Sequence, residues 1–195
     1  MNITPEQNKA IGELIDLVTS KVGVERAIHP ATAISTAARL SGSFLFRTFG
    51  FQTDGQEPGS ILLSEQANEK GTQLIAIVGS YLTNSNIAID QTKLGAVGED
   101  KELRPQLTFL RAISLVQNEA LEICIRHGLN MEQSAQAVAA ATAFIVKECA
   151  AQITAETGFN IAIYGFIEGS KTVPPIFVSA WSKSIQVQKP WYKFW

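Results

Sequence analysis

The sequence predicts a mainly α-helical protein: a single-domain bundle of five or more helices packed closely through Ala, Gly and Ser faces, followed by a C-terminal appendage open to short β strands. Three observations predict it. Apolar residues recur at three- and four-residue spacing through most of the first 155 positions. Helix-start signals precede those stretches. Small residues are abundant while only 17% of the 195 residues are charged, below the ~25% usual for soluble domains. The length suits one domain, read as a helical bundle over residues 1–155 and an appendage over 156–195, packed on the bundle or on a second subunit.

The first helix opens on Thr4-Pro5-Glu6-Gln7: a capping threonine, proline at the first helical position and glutamine at the third. Ile11, Leu14, Ile15, Val18 and Val22 follow at helical spacing, and Gly23 is a stop signal. The second helix is expected from Pro30 to about Phe49. Ala31, Ser35, Ala38 and Gly42 present little bulk, so a neighbouring backbone can approach and the helix belongs at the centre of the bundle. The third is expected from about Ser60 to Thr83, with an apolar stripe of Leu62, Leu63, Ala67, Leu74, Ile77, Val78, Tyr81 and Leu82. Gly71 and Gly79 within it each cost about 1 kcal/mol in propensity, so either neighbours pack closely there or one of them marks a break.

Residues 84–104 read as a long connection with room for one short helical turn, and long connections are often functional. The fourth helix is expected from Pro105 to about His127 on a stripe of Leu107, Leu110, Ile113, Leu121 and Ile125, ending at Gly128. The fifth opens at Asn130, with Gln133 at the third position. It buries Ala135, Val138, Thr142, Ile145, Cys149 and Ile153. The segment FNIAIYGFI (159–167) fits both a helix stripe and a β-branched, aromatic strand; helix is preferred because everything before it is helical. IFVSAW and SIQVQ are the alternative strand partners.

Composition narrows function. The net charge is −2 and Lys and Arg form no basic block, which argues against a nucleic-acid backbone as partner. The N-terminus lacks a signal-peptide pattern, no apolar run reaches the ~18 residues of a membrane span, and two cysteines outside any Cys-rich scaffold suit a reducing, cytoplasmic compartment.

Residues 165–172, GFIEGSKT, resemble a phosphate-binding loop, but that pattern needs glycine where Ser170 stands. Val173-Pro174-Pro175 then disfavours a helix starting at Lys171-Thr172, and no Asp or Glu follows Pro175 to hold Mg²⁺. The motif is therefore read structurally: Gly165 permits close packing, Gly169 ends the element, and Lys171 faces solvent or a carboxylate. Cys124, His127, Cys149 and His29 comprise a zinc-ligand set without zinc-site spacing; buried thiols and a histidine near a helix C-terminus explain them better. No cofactor or metal is implied.

Two surfaces remain as candidates. Arg39 and Arg47 lie about two turns apart on the second helix, and Glu65, Asn68 and Glu69 share one side of the third. Together they would make a polar ligand pocket between helices two and three, with arginine holding an anion and a carboxylate handling protons or metal. Against this stands an ordinary solvated face or interhelix ion pair. The C-terminus, QKPWYKFW, places Trp191, Tyr192, Phe194 and Trp195 beside two lysines. These aromatics suit a protein partner, a second subunit or docking onto their own domain, with a membrane surface ranking behind. The leading expectation is a non-enzymatic interaction or assembly protein that self-associates as a homodimer. The alternative is a small-molecule-binding protein or enzyme using the Arg/Glu pocket.

Overall fold

The computed structural model describes residues 3–23, 27–95 and 103–177. Among these, six α-helices pack together: α1 (Pro5–Val22), α2 (Pro30–Arg47), α3 (Glu65–Asn84), α4 (Phe109–Arg126), α5 (Met131–Cys149) and α6 (Ala155–Lys171). A 3₁₀ turn, Gln91–Lys93, lies in the connection between α3 and α4.

Helix starts follow local chemistry. Thr4 Oγ1 accepts from the Gln7 backbone N–H and Gln7 Oε1 accepts from the Thr4 N–H. Asn130 and Gln133 repeat this reciprocal cap at α5. Each cap satisfies backbone donors that the helix cannot. Gln7 does more than cap. Its amide Nε2 also donates to Gln133 O and Gln136 Oε1, both at 3.0 Å, so the start of α1 is bonded to the first turns of α5. At α2 the cap is His29, whose ring Nδ1 accepts from the Thr32 N–H. Gly128, at φ 71°, closes α4 in the left-handed conformation that glycine adopts without steric cost.

The central helix is α2. It packs against every other helix, and Ala31 through Phe46 are all buried. The alanine-rich α5 is buried nearly all round and forms the second most extensive of the interfaces of α2. The most extensive is between α2 and α6, where side chains almost vanish. A Cβ placed on Gly165 would lie 2.6 Å from the Ala38 Cβ, and one on Gly42 would lie 2.6 Å from Phe166 O. A Cβ on Gly169 would overlap the Arg39 carbonyl oxygen and lie 3.0 Å from the Gly42 Cα. Small residues four apart on both helices therefore set the interaxial distance.

Several expectations change. Gly169 does not end its element: α6 continues to Lys171, and Gly169 is a packing residue. The segment 159–167 is helical, and residues 155–171 belong to the bundle as the principal neighbour of α2. No strand occurs among the described residues, and IFVSAW beyond Phe177 together with SIQVQ lies outside them. The third helix starts at Glu65, capped by Ser64, not near Ser60. Residues 59–62 instead run extended beside 171–173, joined by Gly59 N–H to Val173 O, Val173 N–H to Ser60 O and Leu62 N–H to Lys171 O, with one antiparallel bridge at Ile61 and Thr172. Leu63 is 80% exposed as a result. Neither Gly71 nor Gly79 breaks α3; nothing lies within 4 Å of a Cβ at Gly71.

The apolar stripe of α4 also differs from expectation. Phe109, Ala112, Ile113, Val116, Ala120, Ile123 and Cys124 are buried, while Ile125 is 64% exposed. Of the expected stripe, Ile113 is buried, whereas Leu110 and Ile125 turn outward.

Candidate functional site

A cleft of about 480 Å³ is lined by residues of α2 and α6. Ser35 and Arg39 line it from α2, and Asn160, Tyr164 and Glu168 from α6. Lys93 and residues 103–105 supply the opposite rim. Glu156, Asn160, Tyr164 and Glu168 recur every four residues, so the α-helical repeat puts them on one face of α6.

Arg39 is the electrostatic centre. Only 9% exposed, it donates from Nε to Glu168 Oε2 and from Nη1 to Leu107 O, both at 2.6 Å. The first bond neutralises a charge that would be costly to bury alone, and the second ties the chain entering α4 to α2. The rim is held in the same way. Asn160, 7% exposed, accepts from the Gly95 N–H at 3.0 Å and donates to Lys93 O at 3.2 Å. The Asp90 N–H donates to Glu156 Oε1, a bond that holds the Glu156 carboxyl below the usual glutamate range. Thr32 Oγ1 accepts from the Gln106 N–H. Both ends of the connection between α3 and α4 are thus pinned to the helices that form the cleft floor. Leu103, Pro105 and Ile161 add apolar wall, and Tyr164 stands 47% exposed. Each cleft carboxylate accepts a hydrogen bond, Glu168 from Arg39 and Glu156 from the Asp90 N–H.

Comparison with protein-family models, curated proteins and solved structures returned no match.

The residues singled out in the sequence fall in different places. Arg39 lines the cleft, with Glu168 of α6 as its carboxylate partner. Arg47 lies at the other end of α2. It donates to Ser43 O at 3.1 Å, to Gln117 Oε1 at 2.9 Å and to Pro175 O at 2.7 Å, and its guanidinium sits 4.0 Å from the Phe177 ring centroid. Burial pushes its pKa down to about 10, which leaves it charged at neutral pH, satisfied by neutral acceptors and a π face. Glu65, Asn68 and Glu69 are exposed on α3. Glu65 occupies the first turn, where the helix dipole favours an anion, and Asn68 borders a shallow groove shared with Lys171 of α6. The two arginines and three α3 residues do not line a common concavity. Trp191, Tyr192, Phe194 and Trp195 lie outside the described residues.

The cysteine and histidine candidates also separate. Cys124 and Cys149 are buried free thiols with pKa values raised by desolvation. His127 Nε2 pairs with Glu13 Oε1 of α1 at 2.7 Å. Among the described residues no group of three or more His, Cys, Asp or Glu is placed to hold a metal ion, and no helix is long and apolar enough to cross a membrane.

Sequence reasoning missed Glu156, Asn160, Tyr164 and Glu168. Their four-residue spacing was a usable signal, but only once residues 155–171 are read as one helix.

Proposed function

We propose that the protein binds a small organic molecule in the cleft between α2 and α6. One observation carries the reading: a concavity of about 480 Å³ with a nearly buried arginine at its floor and polar anchors at its rim. Ligand sites commonly span roughly 300–1,000 Å³ and combine apolar walls with a few placed polar groups. The free thiols Cys124 and Cys149 are compatible with a reducing, cytoplasmic setting. A thermal-shift and NMR fragment screen tests the reading. Hits should move resonances of Ile161, Tyr164 and Lys93, and Thr157→Trp, which places an indole at the half-buried wall, should abolish them. A screen whose hits all persist in Thr157→Trp would remove the cleft as the binding site.

A second reading is self-association as a homodimer. Ile61, Leu63 and Ile176 are 72%, 80% and 84% exposed. Ile61 lies on one of the two paired extended segments, and Leu63 and Ile176 follow those segments in the chain. The aromatic residues Trp191, Tyr192, Phe194 and Trp195 would add to such an interface or engage another protein. Light scattering on wild type, Ile61→Lys/Ile176→Lys and a chain lacking 189–195 tests it. An identical monomer mass for all three would dismiss this reading.

A further inference from the structure

We infer that the ligand of the α2–α6 cleft is an organic anion with an apolar body, read by Lys93 and Arg104. This rests on the cleft being a binding site and adds the chemical class of its occupant.

The first argument is charge accounting. Among the described residues, three cationic side chains line the cleft (Arg39, Lys93, Arg104) and two anionic ones (Glu156, Glu168), a balance of three minus two, or one positive charge. Each carboxylate has one oxygen already bonded: Glu168 is held by Arg39 Nε at 2.6 Å, and Glu156 accepts from the Asp90 backbone N–H at 3.1 Å. Arg39 is committed to Glu168 and Leu107 O, but the other two cations are freer. Lys93 reaches Asp90 Oδ2 only at 3.6 Å, and Arg104 is exposed with no ion pair among the described residues. A cation placed at Glu168 would compete with a nearly buried arginine for that carboxylate. An anion meets Lys93 in a long ion pair and Arg104 exposed, and charge-assisted hydrogen bonds are the stronger kind.

The second argument is the wall. Leu103, Pro105, Ile161 and the ring of Tyr164 offer apolar contact beside those donors. A small inorganic anion would leave that surface unfilled, whereas an amphipathic anion uses both. The first turn of α6, including Thr154 and Thr157, also lines the cleft and adds a weak positive field.

The test compares matched eight-carbon probes by calorimetry on the full chain: octanoate, octyl phosphate, octan-1-ol and octylammonium. Octanoate is expected to bind at least tenfold more tightly than octanol or octylammonium. Lys93→Gln/Arg104→Gln should bring octanoate to the octanol level while leaving octanol unchanged. Thr157→Trp should abolish both. The relative affinity of octyl phosphate and octanoate tells a phosphate headgroup from a carboxylate. Octanol or octylammonium binding as tightly as octanoate would overturn the charge inference while leaving the cleft as a binding site. Octanoate binding that survives Thr157→Trp would place the anion elsewhere and overturn it too. If no octyl probe binds although fragments occupy the cleft, the inference fails alone; if neither probes nor fragments bind, it fails together with the reading beneath it.

Discussion

Gly169→Ala tests the link between packing and site most directly. In an unobstructed helix, glycine to alanine gains about 1 kcal/mol. Gly12 supplies that reference: it is exposed on α1, and a Cβ there meets nothing within 4 Å. At Gly169 the added methyl would overlap the Arg39 carbonyl oxygen and sit 3.0 Å from both the Arg39 carbonyl carbon and the Gly42 Cα. All three obstructions are backbone atoms, which cannot rotate aside, so α6 must move away from α2. Overpacking a tight core costs about 1–3 kcal/mol. With backbone on every side we take the upper end, about 3 kcal/mol. Setting the helical gain of about 1 kcal/mol against it leaves a net loss of about 2 kcal/mol. For a chain of this size 1 kcal/mol shifts Tm by about 2–4 °C. Gly12→Ala should therefore raise Tm by about 2–4 °C and Gly169→Ala lower it by about 4–8 °C. Calorimetry at neutral pH, with urea denaturation as a second measure, decides it. Should Gly169→Ala match the gain of Gly12→Ala, α2 and α6 do not pack backbone to backbone, and the placement of Arg39 against Glu168 loses its basis.

Thr36 is fully buried on α2 and its Oγ1 has no hydrogen-bond partner among the described residues; Thr36→Val keeps the shape and should raise stability by about 1 kcal/mol in urea denaturation. Arg47→Met leaves Gln117 Oε1 and Pro175 O without their donor and should cost about 2–4 kcal/mol. Arg47→Lys should recover less than half of that, because an ammonium lacks the planar fork. The pairing of Glu13 with His127, followed by the charge of Arg126, holds the Glu13 carboxyl below its ordinary value of 4.5. A depressed carboxyl stabilises the fold above its unfolded pKa and loses that contribution as pH falls through the folded one. Glu13→Gln should therefore lower Tm at neutral pH, with the gap to wild type closing as pH falls below 4.5.

Much of the fold was legible because its signals are local. The caps at Thr4 and Asn130 read correctly because each joins residues three apart. The small residues of α2 correctly marked it as the central helix, and Gly165 was rightly taken as a site of close approach. The misreadings share one cause. Gly169 looks like a stop to local rules, but a glycine facing another backbone continues a helix at no steric cost. Leu62 and Leu63 look like the start of a stripe, yet the backbone around them pairs with residues 171–173, more than a hundred positions away. In α4, Leu110 and Ile125 were read as part of the buried stripe, yet both are exposed.

The candidate site was legible only in part. Arg39 stood out, but its carboxylate was sought on the next helix in sequence, α3, and it lies on α6. By itself the sequence determined the helical class, the starts of α1, α2 and α5, and the central place of α2. These follow from interactions within one or two turns and from the small size of the residues on α2. Only the tertiary structure decided that Glu168 is that partner, that Asn160 and Glu156 hold the rim, and that a cleft lies between α2 and α6. Those contacts join residues 65 to 129 positions apart, and they are fixed by how closely two glycine-faced helices approach, a distance no local pattern encodes.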